Sequence, residues 1–348
     1  MYKKFYSKFL ETNHDIQYYS LRGSHNWLDV TREATLQYNE SERQSDVLSI
    51  KILGAQKEIA KLLNLCHPER IVFGQKPNEL INQIIKNQAR IKNKKTIRVL
   101  TSDAETFSFE DSDKLDFIVD KVATQPFDHF EKRLINQLLG QNKNEAYDIV
   151  YISHVFYNTG MVTKNLHEIA QAAYESETLL IVDGLYGFMA IPTDLGLFEN
   201  KVFYLSGLNA YAQSGENCFF IACPEPIIVD TSLIDYSTLN RFESVLKLFK
   251  EISLSVEKIY NHIKFMQKNF RDHLLTCDHH FLSEKNILSV DYNFHGPFYT
   301  FALPSPDHAH KLQEQLKSIN IITDIHENKL RFSFALFQND CIDLTRLD

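Results

Sequence analysis

The chain has 348 residues, long enough for one large domain with a smaller one appended, and its 44% hydrophobic content describes an ordinary globular protein. A formal net charge of −8 with no basic block excludes the electrostatic footprint of a nucleic-acid binder. No stretch has the apolar length of a membrane span, and MYKKFYSK at the start has neither an apolar core nor a small-residue cleavage site. A cytoplasmic protein without membrane partners is therefore expected. The five cysteines are scattered and never spaced C-x-x-C, so neither a redox motif nor a metal site is expected.

In chain order, apolar residues at Val47, Ile50, Leu53, Ile59, Ala60 and Leu63 recur at helical spacing and predict a helix over 41–65, ended by the CHPER turn. The apolar run IVF (71–73) and the turn GQKPNE precede a helical pattern through Leu80, Ile81, Ile84 and Ile85. The lysine-rich IKNKK (91–95) reads as the solvated end of that helix. Strands are predicted at IRVL (97–100), FIV (117–119), DIVYI (148–152), LLIV (179–182), VFYL (202–205) and FFIA (219–222). Helices near 127–139 and 166–174 separate several of them. This alternation predicts an α/β fold with a mainly parallel sheet covered by helices on both faces. A long helical region over about 239–275 leads to a small C-terminal α+β domain. Its predicted elements are DYNF (291–294), FYTFAL (298–303), a helix near 308–319 and LRFSF (330–334). The expected organisation is an N-terminal arm (1–40), a large domain (41–250), and a connecting helix with the small domain (251–348).

The segment VFYLSGLNAYAQSGENCFF (202–220), together with IVDGLYGFMAIPTD (181–194), resembles the cofactor-binding core of class V aminotransferases of the kynureninase-like and cysteine-desulfurase-like group. These are pyridoxal-phosphate enzymes of fold type I. The resemblance runs along nearly the whole chain and implies their fold, a homodimer and an amino-acid-type ligand. It places the lysine that carries the cofactor at Ala210, and no lysine occurs between Lys201 and Lys247.

Other positions follow from the same resemblance. Asp183 falls where the family pairs a carboxylate with the pyridinium nitrogen; on spacing alone it reads as a turn or cap residue. Tyr186 replaces a histidine or glutamine near the cofactor's phenolic oxygen. Ser206 joins the cofactor set, and Lys76 and Asn78 lie where a strand-to-helix turn would hold the phosphate, although Pro77 removes a donor there. Phe107, in TSDAETFSF, stands at the stacking position, while the residues alone suggest core packing. His154 and Asn158, in SHVFYNTG, are the polar candidates for contacting cofactor or substrate; His154 equally reads as a core histidine. Arg331, in TDIHENKLRFSF, matches the arginine that holds a substrate carboxylate, and the second family arginine falls on His326. His25, in SHNWLDVT, belongs to an element at the substrate mouth.

Without the lysine, covalent amine activation loses its anchor and proton shuttle, so pyridoxal phosphate would bind noncovalently at best. Two functional readings follow. The first is a noncatalytic or altered-chemistry homologue with a residual pocket. The alternative is a lyase or aminotransferase using pyridoxal or pyridoxamine phosphate on an amino acid, its lysine exchanged for alanine in the laboratory.

Overall fold

The computed structural model describes residues 2–11, 15–20, 28–40, 45–109, 115–140, 146–227, 234–275, 279–288, 295–338, 342, 344 and 347. The N-terminal part holds α1 (Ser7–Glu11), β1 (Gln17–Tyr18), α2 (Asp29–Glu40) and α3 (Ser45–Leu62). A seven-stranded sheet follows, built from β2 (Ile71–Gly74), β3 (Thr96–Ser102), β4 (Asp116–Val122), β5 (Ile149–Ser153), β6 (Leu179–Asp183), β7 (Val202–Gly207) and β8 (Phe219–Ala222). The helices α4 (Pro77–Ile91), α5 (Phe130–Leu139) and α6 (Leu166–Glu175) are interleaved with these strands.

The sheet order is β2-β8-β7-β6-β5-β3-β4, and only β8 runs against its neighbours. The mainly parallel sheet read from the sequence is thus present, with strand bounds differing from the predicted ones by a few residues at most. Every residue of β5 and β7 is buried, as expected of strands covered on two faces. Alternate side chains supply the two faces. Ile149 and Tyr151 pack with Leu80, Ile81, Ile84 and Ile85 of α4, whereas Val150 and Ile152 join the larger core with α5 and α6. Pro77, set at the first turn where no intrahelical N–H is needed, starts α4. Fully burying one such Leu or Ile stabilises the fold by about 1.5–3 kcal/mol, so these stripes fix which face of α4 meets the sheet.

The helical region expected over about 239–275 is present as two helices, α7 (Tyr236–Glu251) and α8 (Val256–Leu274). Ser253 adopts φ 52° between them, and the Ser255 side chain caps α8 by accepting from Lys258 N. Apolar periodicity continues across the break, which concealed it. The C-terminal region contains β9 (Phe298–Ala302), α9 (Pro306–Ser318), β10 (Ile321–Ile322), β11 (Asp324–His326) and β12 (Lys329–Ser333). An antiparallel sheet β11-β12-β9 matches the predicted α+β region, and β1 pairs in parallel with β10, tying the N-terminal segment to it. The strand expected at 291–294 lies outside the described residues. The lysine run does end α4, but Lys92 and Lys94 also reach buried Asp148, at 3.5 and 2.7 Å.

Candidate active site

Because β5, β6 and β7 are parallel, their carboxyl ends bring Ser153, Asp183 and Gly207 to one edge of the sheet, where α/β folds place ligand-contacting groups. Asp183 terminates β6. Its Oδ1 accepts from Leu185 N at 2.9 Å and its Oδ2 from the Tyr151 hydroxyl at 2.8 Å. Burial raises the Asp183 pKa in spite of both donors. Tyr151 comes from β5, on the face covered by α4, and Phe107 lies 5.1 Å from its ring at an interplanar angle of 32°.

Glu105 forms the other half of this arrangement. Its Oε1 accepts from Ser153 N at 2.7 Å, its Oε2 pairs with Ser153 Oγ, and Ser102 Oγ lies 3.5 Å from Oε1. Burial pushes the Glu105 carboxyl up to about 8 against the pull of the Ser153 donors, and the charge of Asp183 adds to the rise. Glu105 therefore holds a proton at neutral pH, and Asp183 faces a neutral acid. Such a pair of unequal carboxyls can hold and exchange a proton. Neither Glu105 nor Tyr151 was singled out in the sequence. The only signals were a lone acid two residues before Phe107 and one polar tip within the apolar run of β5.

The turn after β7 places Ala210 at φ 41°, a left-handed conformation, at the start of a short 3-10 turn. The turn is pinned on both sides. Tyr6 donates to Gln213 Oε1, and the Tyr211 hydroxyl donates to Pro297 O at 3.3 Å. Asn209 Oδ1 is buried without a hydrogen-bond partner. Ser206 is fully buried and donates to Gly184 O at 3.1 Å, inside the strand edge. Lys76 is exposed and pairs with Glu79 at 3.0 Å, next to exposed Asn78 at the start of α4.

A second cluster surrounds Arg331 on β12. Its Nη2 donates to Asp324 Oδ2 at 3.0 Å, and Ser20 Oγ donates to Asp324 Oδ1 at 2.6 Å. The guanidinium carbon lies 4.7 Å from the Tyr157 ring centre, 4.9 Å from Phe298 and 5.6 Å from Tyr186, three aromatic faces suited to a cation. His326 stands edge-on to Tyr157 at 5.1 Å. The cavity beside Arg331, Asn158 and Thr300 measures about 10 Å³, room for one water. The structure thus brings Tyr186 and Arg331 together, with Asn158 beside them. Asp183 and Phe107 share the Tyr151 cluster, His154 is buried beside Gly187, and Lys76 and Asn78 stand at the surface. His25 lies outside the described residues.

Comparison with known proteins agrees with this architecture. A family model described as aminotransferase class-V matches residues 31–215, more than half of the chain. No curated protein matches. Among solved structures, an apo cysteine desulfurase from Thermococcus onnurineus NA1 superposes with a TM-score of 0.74 at 12% identity, covering 98% of this chain and 95% of the other. The cysteine desulfurase CsdA from Escherichia coli gives 0.74 at 13% identity, with 94% of each chain covered. A lysine-to-alanine mutant of C-DES, with glycine covalently linked to the PLP cofactor, gives 0.66 at 14%, with 96% of each covered. The chain therefore belongs to the class-V aminotransferase family and has the fold-type-I architecture of its pyridoxal-phosphate-dependent members.

Proposed function

We propose that this chain is a class-V aminotransferase homologue that works without a lysine-held cofactor, as a noncatalytic or altered-chemistry protein with a residual pocket for an amino-acid-like ligand. One observation carries the reading. The aspartate expected to meet the cofactor ring already accepts a hydrogen bond from Tyr151, next to the turn of Ala210, on which the resemblance sets the family lysine. The neighbouring donors support it. Ser206 is turned to Gly184 O, Lys76 is engaged with Glu79 at the surface, and Glu105 adds a second carboxyl beside Asp183. As arranged, these residues do not fit a lysine-held pyridoxal phosphate. Arg331, neutralised by Asp324 and enclosed by aromatic rings, is the residue suited to a ligand carboxylate once Asp324 gives way.

A second reading follows from family membership: a lyase or aminotransferase that binds pyridoxal or pyridoxamine phosphate noncovalently and acts on an amino acid. Asp183 at the end of β6 favours it, as does the fold neighbour whose cofactor is linked to glycine in a lysine-to-alanine mutant. A cytoplasmic homodimer belongs to either reading. Leu36 on α2 and Ile50 and Leu53 on α3 are exposed apolar side chains available to a partner.

Titration of pyridoxal phosphate and pyridoxamine phosphate into the wild-type chain and into Ala210→Lys separates the readings. The first predicts no saturable binding to the wild type. Saturable binding to the wild type, with turnover of an amino acid, establishes the second.

A further inference from the structure

Arg331 is paired below its capacity. It is 6% exposed, and its Nη2 donates to Asp324 Oδ2 at 3.0 Å. Nε and Nη1 are buried and find no hydrogen-bond partner among the described residues. The same holds for Thr300 Oγ1 and Asn158 Oδ1, whose residues line the cavity beside the guanidinium. Buried donors left unpaired cost free energy, which a well-placed acceptor removes. A carboxylate can take two guanidinium nitrogens at once, and Asp324 takes one.

The reason lies in the N-terminal segment. Asp324 opens β11 and stands directly opposite Arg331 in the antiparallel register of β11 and β12. Its other oxygen, Oδ1, accepts from Ser20 Oγ at 2.6 Å, so the carboxylate is shared between the hydroxyl and the guanidinium. Ser20 is buried and follows β1 closely, and the backbone leading to it is fixed at several points. Gln17 N donates to Asn320 O and Tyr19 N to Ile322 O, each at 2.8 Å, while Tyr19 O accepts from Ser333 N at 2.8 Å. The Gln338 side-chain amide donates to Tyr18 O. These bonds place the Ser20 hydroxyl, and the hydroxyl places Asp324. The cavity beside Arg331, about 10 Å³, admits a water but no carboxylate group. A ligand carboxylate and the Asp324 carboxylate therefore compete for one position.

We infer that Asp324 is an internal competitor at Arg331, held there by Ser20, and that this contact sets how tightly the chain binds a small carboxylate. The inference rests on the reading of Arg331 as the group that receives a ligand carboxylate. Ser20 acts through Asp324 and is a positioning residue.

The test is calorimetric titration of the full chain with acetate at constant ionic strength in chloride, with acetamide as a neutral probe of the same shape. A hydrogen bond to a charged group is worth about tenfold or more in an equilibrium constant. Ser20→Ala removes the donor to Asp324 and is expected to bind acetate about tenfold more tightly than the wild type does. Asp324→Asn, which removes the competing charge, is expected to gain at least as much. Acetamide binding is expected to stay the same in all three proteins. A gain in Asp324→Asn with Ser20→Ala within twofold of the wild type overturns the inference and leaves Arg331 as a carboxylate site. No saturable acetate binding in any of the three overturns that reading of Arg331, and the inference with it. Parallel tightening of acetate and acetamide also overturns the inference, because it reports loosened packing rather than competition for charge. Should Asp324→Asn fail to fold, Ser20→Ala against the wild type decides by the same twofold limit.

Discussion

Glu105→Gln tests the most unusual electrostatic feature of the site. In the folded chain Glu105 is a neutral acid although its Oε1 accepts from Ser153 N and its Oε2 from Ser153 Oγ. A glutamine keeps the Oε1 contact and turns its amide N–H to Ser153 Oγ, whose hydroxyl can accept, without an ionisable proton. The folded pKa is raised from the ordinary 4.5 to about 8. The stability tied to Glu105 is therefore fully present below about pH 4.5 and is lost progressively as pH rises toward 8. At ~1.4 kcal/mol per pH unit the full displacement amounts to about 5 kcal/mol. Glu105 is half-buried as a residue, and relaxation of the site around the ionised carboxyl reduces the expected loss to about 2–3 kcal/mol.

The assay is urea unfolding of wild type and Glu105→Gln at pH 5 and pH 9, with equal slopes required of both proteins. Titrations elsewhere affect both proteins alike, so the difference between them isolates this group. The variant should match the wild type within about 0.7 kcal/mol at pH 5 and exceed it by about 2–3 kcal/mol at pH 9. A difference that stays constant across this range would falsify the assignment of a protonated Glu105.

Removing the hydroxyl with Tyr151→Phe leaves Asp183 short of one donor and should cost about 1–3 kcal/mol at pH 7 by urea unfolding; a change below about 0.3 kcal/mol would mean that the hydroxyl bond does not form. Asp324→Asn strands the buried Arg331 charge and should cost about 3–5 kcal/mol, whereas an unchanged midpoint would show that the aromatic faces hold the guanidinium by themselves. In thiol labelling of the native protein read by mass spectrometry, the exposed Cys66 should react quickly. Cys218 and Cys223, buried and raised to about 12, should stay unlabelled until the chain unfolds; early labelling of either would contradict their packing.

The sheet was legible because its strands are continuous apolar runs and its helices carry unbroken apolar stripes, as α4 does through Leu80, Ile81, Ile84 and Ile85. The break between α7 and α8 was not legible, since Leu254 is buried and continues the apolar rhythm across it. The two-residue pairing of β1 with β10 joins positions more than 300 residues apart, beyond the reach of any local pattern. Asp183 and Arg331 were singled out through family motifs. Glu105 and Tyr151 were not, because their importance comes from burial and from each other's neighbourhood, which sequence spacing does not encode. Ser206 and Lys76 show the converse: the motif placed them, but local partners, Gly184 O and Glu79, determine where their polar groups point.

The central claim, that Ala210 marks a site working without a lysine-held cofactor, is tested most directly by borohydride reduction of the wild-type chain after incubation with pyridoxal phosphate, followed by peptide mass spectrometry. The account predicts only scattered, substoichiometric modification of surface lysines and no lysine labelled in preference to the rest. One lysine labelled stoichiometrically, in a chain that also turns over an amino acid, would contradict it.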